Sequence, residues 1–183
     1  MANTRPHIVL GVTGSIAAYK SGDVIRRLQE AGCDVSVVMT KEAGQFITPL
    51  TLASLSGRKV YSSLLEDHEA WQMPHIRLAR EAQCVLIAPA TANVIGKIAA
   101  GIADDLLTCI VLATKAPILV APAMNDEMYH NHIVQKNLRI LKDELGVRII
   151  KPIEGQLACG TFAEGHLAEV EVIVRETCSV IQR

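Results

Sequence analysis

The feature that most constrains the fold is a short apolar run, His7–Val12, closed by Thr13-Gly14-Ser15 and followed by Ile16, Ala17, Val24, Ile25 and Leu28 at helical spacing up to Gly32. A run that brief, ended by small turn residues, suits a strand buried on both faces, and the recurrence after it predicts a helix. Asp34–Thr40 then alternates Val35, Val37 and Met39 as a second strand. Strand, helix and strand in this order make a βαβ unit, with parallel strands and a right-handed crossover.

The same alternation continues down the chain. Val85–Pro89, Ile118–Ala121 and Val147–Lys151 read as further buried strands, and Ile76–Ala82, Thr91–Ala100, Asp104–Ala113, Asp126–Leu145 and Leu167–Ile181 as helices. With 183 residues and 50% hydrophobic composition, one core is the expectation, so residues 1–183 are read as a single domain. The predicted fold is α/β: a doubly wound parallel sheet, Rossmann- or flavodoxin-like, in three α/β/α layers. Ligands of such sheets bind outside the carboxyl ends of the strands. The segment from about 151 to 166 is polar and shows no periodicity, and is read as a flexible loop covering a substrate.

Composition excludes several classes. A formal net charge of −1 without clustered Lys and Arg argues against nucleic acid. The apolar runs around Val85–Ala100 and Cys109–Val120 are broken by Pro89, Lys97, Lys115 and Pro117, which argues against a membrane span. Cys33, Cys84, Cys109, Cys159 and Cys178 form no C-x-x-C pair and are odd in number, so no zinc site or disulfide framework is expected, and the histidines have no metal-ligand spacing. Met1–Pro6 lacks a signal-peptide core, and a reducing cytoplasm is the expected compartment.

Several residues can carry chemistry. In Gly11-Val12-Thr13-Gly14-Ser15-Ile16, Gly14 permits close backbone approach and Ser15 opens a helix, an arrangement suited to a phosphate. G-x-G-x-x-G spacing and the P-loop Lys-Ser/Thr are absent, so a mononucleotide such as FMN fits better than NAD or ATP; an ordinary tight turn is the equal alternative. Thr40 and Pro89-Ala90-Thr91-Ala92-Asn93 stand at neighbouring strand ends, where they either contact a flavin or cap helices. Asn125 follows the fourth strand in Ala121-Pro122-Ala123-Met124-Asn125, ahead of Met128, and either caps a helix or grips a carboxylate. His75 is a candidate acid or base, or a surface residue. Cys159 lies between small residues in the aperiodic segment and is either inert or a proton donor.

These segments together resemble the homo-oligomeric flavin-containing cysteine decarboxylases, and within them the phosphopantothenoylcysteine decarboxylases. The resemblance rests on Gly11–Lys20, Pro74-His75-Ile76-Arg77-Leu78, Ala88–Asn93, Pro122-Ala123-Met124-Asn125-Asp126-Glu127-Met128-Tyr129 and Leu157-Ala158-Cys159-Gly160. It implies FMN-dependent decarboxylation of phosphopantothenoylcysteine to 4′-phosphopantetheine, through a thioaldehyde and an enethiolate, in coenzyme A synthesis. It further implies catalytic roles for His75, Asn125 and Cys159, and FMN contacts from Gly14, Ser15, Ile16, Thr40, Ala90, Thr91, Ala92, Asn93 and Ala123. Asn125, Met128, Ala158 and Cys159 would touch substrate, in a homotrimer or a multiple of it. Ala163-Glu164-Gly165-His166-Leu167 departs from the family's Gly-x-Gly and Met pattern. Ending at Arg183, the chain is expected to be a free-standing enzyme or an excised domain. The alternatives are a peptidyl-cysteine decarboxylase of lantibiotic type, which the Ala-Cys-Gly segment disfavours, and a non-catalytic flavin-binding regulator.

Overall fold

A computed structural model describes residues 5–64, 73–156, 160 and 162–181. The chain runs β1 (His7–Val12), α1 (Ser21–Glu30), β2 (Asp34–Met39), α2 (Pro49–Ser56), β3 (Val60–Tyr61), α3 (Pro74–Glu81), β4 (Cys84–Ala90), α4 (Ala92–Ala99) and α5 (Leu106–Ala113). It continues through β5 (Ile118–Pro122), α6 (Asp126–His130), α7 (His132–Asp143), β6 (Arg148–Ile149), β7 (Ile153–Gln156), β8 (Phe162–His166) and α8 (Val170–Ile181). Strands β1 to β6 form one parallel sheet in the order β3-β2-β1-β4-β5-β6. The order reverses between β1 and β4, so their loops diverge to opposite faces and open a crevice at their carboxyl ends.

Alternate residues of each strand feed two cores. Ile8, Leu10 and Val12 of β1, with Val35, Val37 and Met39 of β2, pack against Val24, Ile25 and Leu28 of α1, Leu52 of α2 and Ile173 of α8. Val9, Val38, Val85, Ile87 and Val120 face the other way, onto α3, α4, α5 and α7. Burial on both faces is why these strands read as nearly unbroken apolar runs. The doubly wound α/β fold expected from the sequence is the fold observed.

The differences from expectation have local causes. β3 is too short to show a period. α2 scatters apolar and hydroxyl residues around its circumference, with Leu50 exposed, Leu52 and Ser56 buried and left-handed Gly57 ending it, so no stripe marks it. The helix expected over Asp126–Leu145 is two, because Asn131 leaves the helical region and its side chain accepts from Ile133 N at 2.9 Å, starting α7 anew. The loop expected around 151–166 is instead, in its described part, an antiparallel ribbon of β7 and β8. A two-stranded ribbon held by backbone pairing and largely open to water needs no period-2 apolar pattern, and this one has none.

Candidate active site

The crevice is stitched by the first buried hydroxyl after β1. Thr13 is 1% exposed; its Oγ1 donates to Pro89 O at 2.8 Å and accepts from Thr91 N at 3.0 Å. Ser21 Oγ, also buried, donates to Ala88 O at 3.2 Å. These bonds satisfy carbonyls on either side of the cis Ala88–Pro89 peptide, where the β4–β5 register shifts. They thereby fix the ends of β1 and β4 against each other.

Ser15 caps a 3₁₀ turn, Ile16–Lys20, by accepting from Ala17 N at 3.3 Å, and the turn runs directly into α1. Gly14 has a reason the sequence did not disclose: a Cβ there would stand 2.5 Å from Glu42 Cβ and 3.3 Å from Glu42 C. Its missing side chain lets the loop lie against the turn after β2. Close approach is required by the protein itself, whatever else binds above.

Asn125 is the N-cap of α6: its Oδ1 accepts from Glu127 N at 3.0 Å and Met128 N at 3.3 Å, while Nδ2 donates to Asp126 Oδ1 at 2.8 Å. The ribbon folds onto this segment, Met124 N donating to Gly165 O at 3.0 Å. Gly165 has φ +142, and a Cβ there would collide with Met124 O, so this contact demands glycine. Lys20 Nζ lies 3.0 Å from His166 Nε2, joining the first turn to the end of the ribbon.

Between the first turn, the Asn125 segment and the ribbon is a cleft of about 510 Å³, within the range of small-ligand sites. Of the residues singled out from the sequence, it gathers Gly14, Ser15, Ile16, Thr91, Ala123, Asn125 and Met128. Thr40, Ala90, Ala92, Asn93 and His75 do not line it. Thr40 Oγ1 accepts from Ala43 N at 3.3 Å, and Ala90 is fully buried with its carbonyl accepting from Ala123 N at 3.0 Å. Ala92 and Asn93 form the first turn of α4, which Thr91 caps. Ala158 and Cys159 lie outside the described residues.

His75 sits in the first turn of α3, half-buried, and its Nδ1 is buried with no hydrogen-bond partner among the described residues. Sequence reading passed over Lys20, Gln156, Gly165, His166 and Leu167 as site residues, although all line the cleft. Lys20 carried a signal, being the one cation in the glycine-turn segment. Gln156, Gly165 and His166 fell within the segment read as covering a substrate but had no individual signal, and Leu167 had none, since only the ribbon's fold brings them there.

Burial pushes the Cys84 thiol up to about 12 and the Cys33 thiol up to about 11, so both stay protonated and inert. They lie with Cys178 at the opposite end of the sheet. Among the described residues no group of His, Cys, Asp and Glu has the geometry of a metal site, and no helix is long and apolar enough to cross a membrane.

An α/β sheet whose switch-point cleft joins a helix-opening turn to apolar walls defines a mononucleotide-binding class of protein. Residues 2–182 match the flavoprotein family, and the chain belongs to it. The coenzyme A biosynthesis bifunctional protein CoaBC of Vibrio vulnificus is 50% identical over 162 residues, covering 88% of this chain and 40% of that protein. The chain thus spans less than half the length of the curated relatives it matches. A PPC decarboxylase, solved as a cysteine-to-serine mutant complexed with pantothenoylaminoethenethiol, superposes with a TM-score of 0.88 at 34% identity, covering 98% of this chain and all of that one. The FMN-dependent cysteine decarboxylase SpaF superposes at 0.85 with 32% identity, over 100% of this chain and 99% of its own.

Proposed function

We propose that the chain is an FMN-dependent decarboxylase converting N-[(R)-4-phosphopantothenoyl]-L-cysteine to 4′-phosphopantetheine in coenzyme A biosynthesis. The observation that carries the reading is the cleft itself, where donors for anions and an apolar wall face one another at the β1/β4 switch point. Ser15 and Lys20 of the first turn and Asn125 at the start of α6 line it together with Ile16, Ala123, Met124, Met128 and Leu167. That set suits a phosphorylated mononucleotide with a flat apolar ring and a substrate bearing a carboxylate. The named function of the PPC decarboxylase and of CoaBC supports the same assignment.

When bound, FMN supplies reversible two-electron oxidation of the substrate's thiol-bearing carbon. The remaining work falls to side chains. Asn125 has its acceptor held by the α6 backbone and its amide nitrogen on Asp126 Oδ1, which fixes the amide at the cleft, and in the proposed reaction that amide grips the substrate carboxylate. Once the thiol carbon is a thioaldehyde, the carbon–carboxylate bond breaks, carbon dioxide leaves and the electron pair moves onto sulfur as an enethiolate. Apolar walls favour this step, because a carboxylate stripped of water is exchanged for neutral carbon dioxide and a diffuse anion. One proton from Cys159 to the carbon that lost carbon dioxide, with the hydride that bound FMN would return to the thiol carbon, leaves a thiolate, and recovery of the thiol proton restores the thiol with no net redox change. His75 moves the thiol proton; a buried ring nitrogen without a protein partner is costly unless a ligand, water or a neighbouring subunit satisfies it.

The working assembly is a homotrimer or a multiple of it. Ile16 is 58% exposed, Tyr19 59% and Met128 48%, all at the rim of the cleft, and apolar groups gathered at one rim are surface that a second subunit covers. Such a neighbour would close the site, with Thr40, Ala92 and Asn93 acting beside the strand ends of this chain and His75 where two subunits meet. A cytoplasmic location accords with Cys33, Cys84, Cys109 and Cys178 being thiols.

The test is direct. Purified FMN-loaded protein incubated with phosphopantothenoylcysteine is expected to release one carbon dioxide per 4′-phosphopantetheine formed; a yellow protein that releases none overturns the reading. Light scattering on the same sample reads the assembly.

A further inference from the structure

We propose that His166 is a positioning residue whose imidazole holds the Lys20 ammonium at the mouth of the cleft to receive a phosphomonoester. The inference rests on the decarboxylase reading for the identity of its ligands, and on geometry for the rest. Lys20 is the last residue of the 3₁₀ turn and is half-buried, and its one hydrogen-bond partner among the described residues is His166 Nε2, 3.0 Å away. An ammonium can only donate, so Nε2 is the acceptor and the ring is neutral with its proton on Nδ1. An ammonium on a flexible four-carbon stem stays in one place only when something accepts from it.

The ring is itself held. His166 ends β8 and pairs with Ile153, and the neighbouring strand residue, Gly155, leaves the space the imidazole fills. A Cβ on Gly155 would stand 2.9 Å from His166 Cγ and 3.1 Å from its Cβ. One residue earlier, Gly165 is fastened to Met124. The imidazole is thus locked between the ribbon and the cleft, and it carries Lys20 with it.

Among the described residues the charge has no carboxylate partner. Lys20 lines the cleft and no carboxylate does. With one N–H given to His166, two remain, in the cleft that the Ser15 hydroxyl also lines, and such donors fit the terminal oxygens of a phosphomonoester. Both ligands of the proposed reaction, FMN and phosphopantothenoylcysteine, end in that group, and substitution separates them. Sequence reading gave His166 no role, because the ribbon that brings it to Lys20 leaves no pattern in the chain.

The experiment compares His166→Phe, which keeps a ring but no acceptor, with His166→Gln, which restores an acceptor at similar reach. Full-length protein is assayed with phosphopantothenoylcysteine and with pantothenoylcysteine, and titrated with FMN and with riboflavin by flavin fluorescence. Loss of one charge-assisted bond predicts about a tenfold weakening for one phosphorylated ligand, as KM with kcat within about twofold if it is the substrate, or as Kd if it is FMN. The unphosphorylated counterpart should not move, and His166→Gln should recover most of the loss. Lys20→Gln, read the same way, gives the answer if the Phe variant does not fold. Equal shifts for phosphorylated and unphosphorylated ligands, or no shift in either pair, overturn the proposal. Wild-type protein that binds FMN yet releases no carbon dioxide instead overturns the decarboxylase reading, while the FMN and riboflavin titrations still test His166.

Discussion

Replacing Thr13 by Val should separate the two strands that define the site. The side chain is 1% exposed and serves both β4 bonds at once, donating to Pro89 O at 2.8 Å and accepting from Thr91 N at 3.0 Å. Valine has the same shape and branching, so packing is preserved and only the hydroxyl is removed. Pro89 O is then buried without a donor, at a cost of about 1–3 kcal/mol. The Thr91 N–H is half-buried and partly recovered by water, adding about 0.5–1.5 kcal/mol. Together these predict a loss of about 2–4 kcal/mol, or roughly 5–15 °C in Tm for a domain of this size. Thr13→Ser keeps the hydroxyl and loses one buried methyl, at about 1 kcal/mol. Urea unfolding followed by circular dichroism, at one protein concentration, measures all three proteins. A valine variant as stable as wild type, or a serine variant weaker than valine, would refute the assignment of the strand junction to this hydroxyl. FMN affinity should fall with the valine variant too, because Thr91 lines the cleft.

Other substitutions separate roles that coincide in one residue. Asn125→Ser retains a good N-cap, so stability should stay within about 0.5 kcal/mol of wild type while carbon dioxide release falls by at least tenfold; equal losses of both would reduce Asn125 to a cap. Gly165→Ala, with φ +142 and Met124 O in the way, should lift the ribbon and raise substrate KM, read by steady-state kinetics. Cys159→Ser should still release carbon dioxide but accumulate an enethiol, seen by mass spectrometry, and normal turnover would remove Cys159 from the mechanism. Since burial raises Cys33 and Cys84 from an ordinary 9.0 to about 11 and about 12, the folded state holds their protons longer than the unfolded chain does. Stability from this source is therefore complete below pH 9 and is lost between pH 9 and about 12; urea midpoints at pH 8, 9 and 10 should fall in that order.

What the sequence determined by itself was the sheet and its winding. Strands buried on both faces must be apolar almost throughout, and helices packed on them must carry a stripe, so β1, β2, β4, β5 and their helices announced themselves. Gly14, Ser15, Thr91 and Asn125 were legible as residues at the sheet's carboxyl edge, where ligands of such a sheet gather, with capping left open for the last two; Ala123 was marked only by the resemblance, and the structure gathers all five in one cleft. Tertiary structure decided why Gly14 is glycine, since Glu42 comes against it from a turn far along the chain. It also decided that Ile153–Gln156 and Phe162–His166 pair as a ribbon, and that Lys20, Gly165 and His166 belong to the cleft. Backbone pairing holds a solvated two-stranded ribbon, so its sequence need not alternate; what such a ribbon places beside a distant turn depends on packing alone.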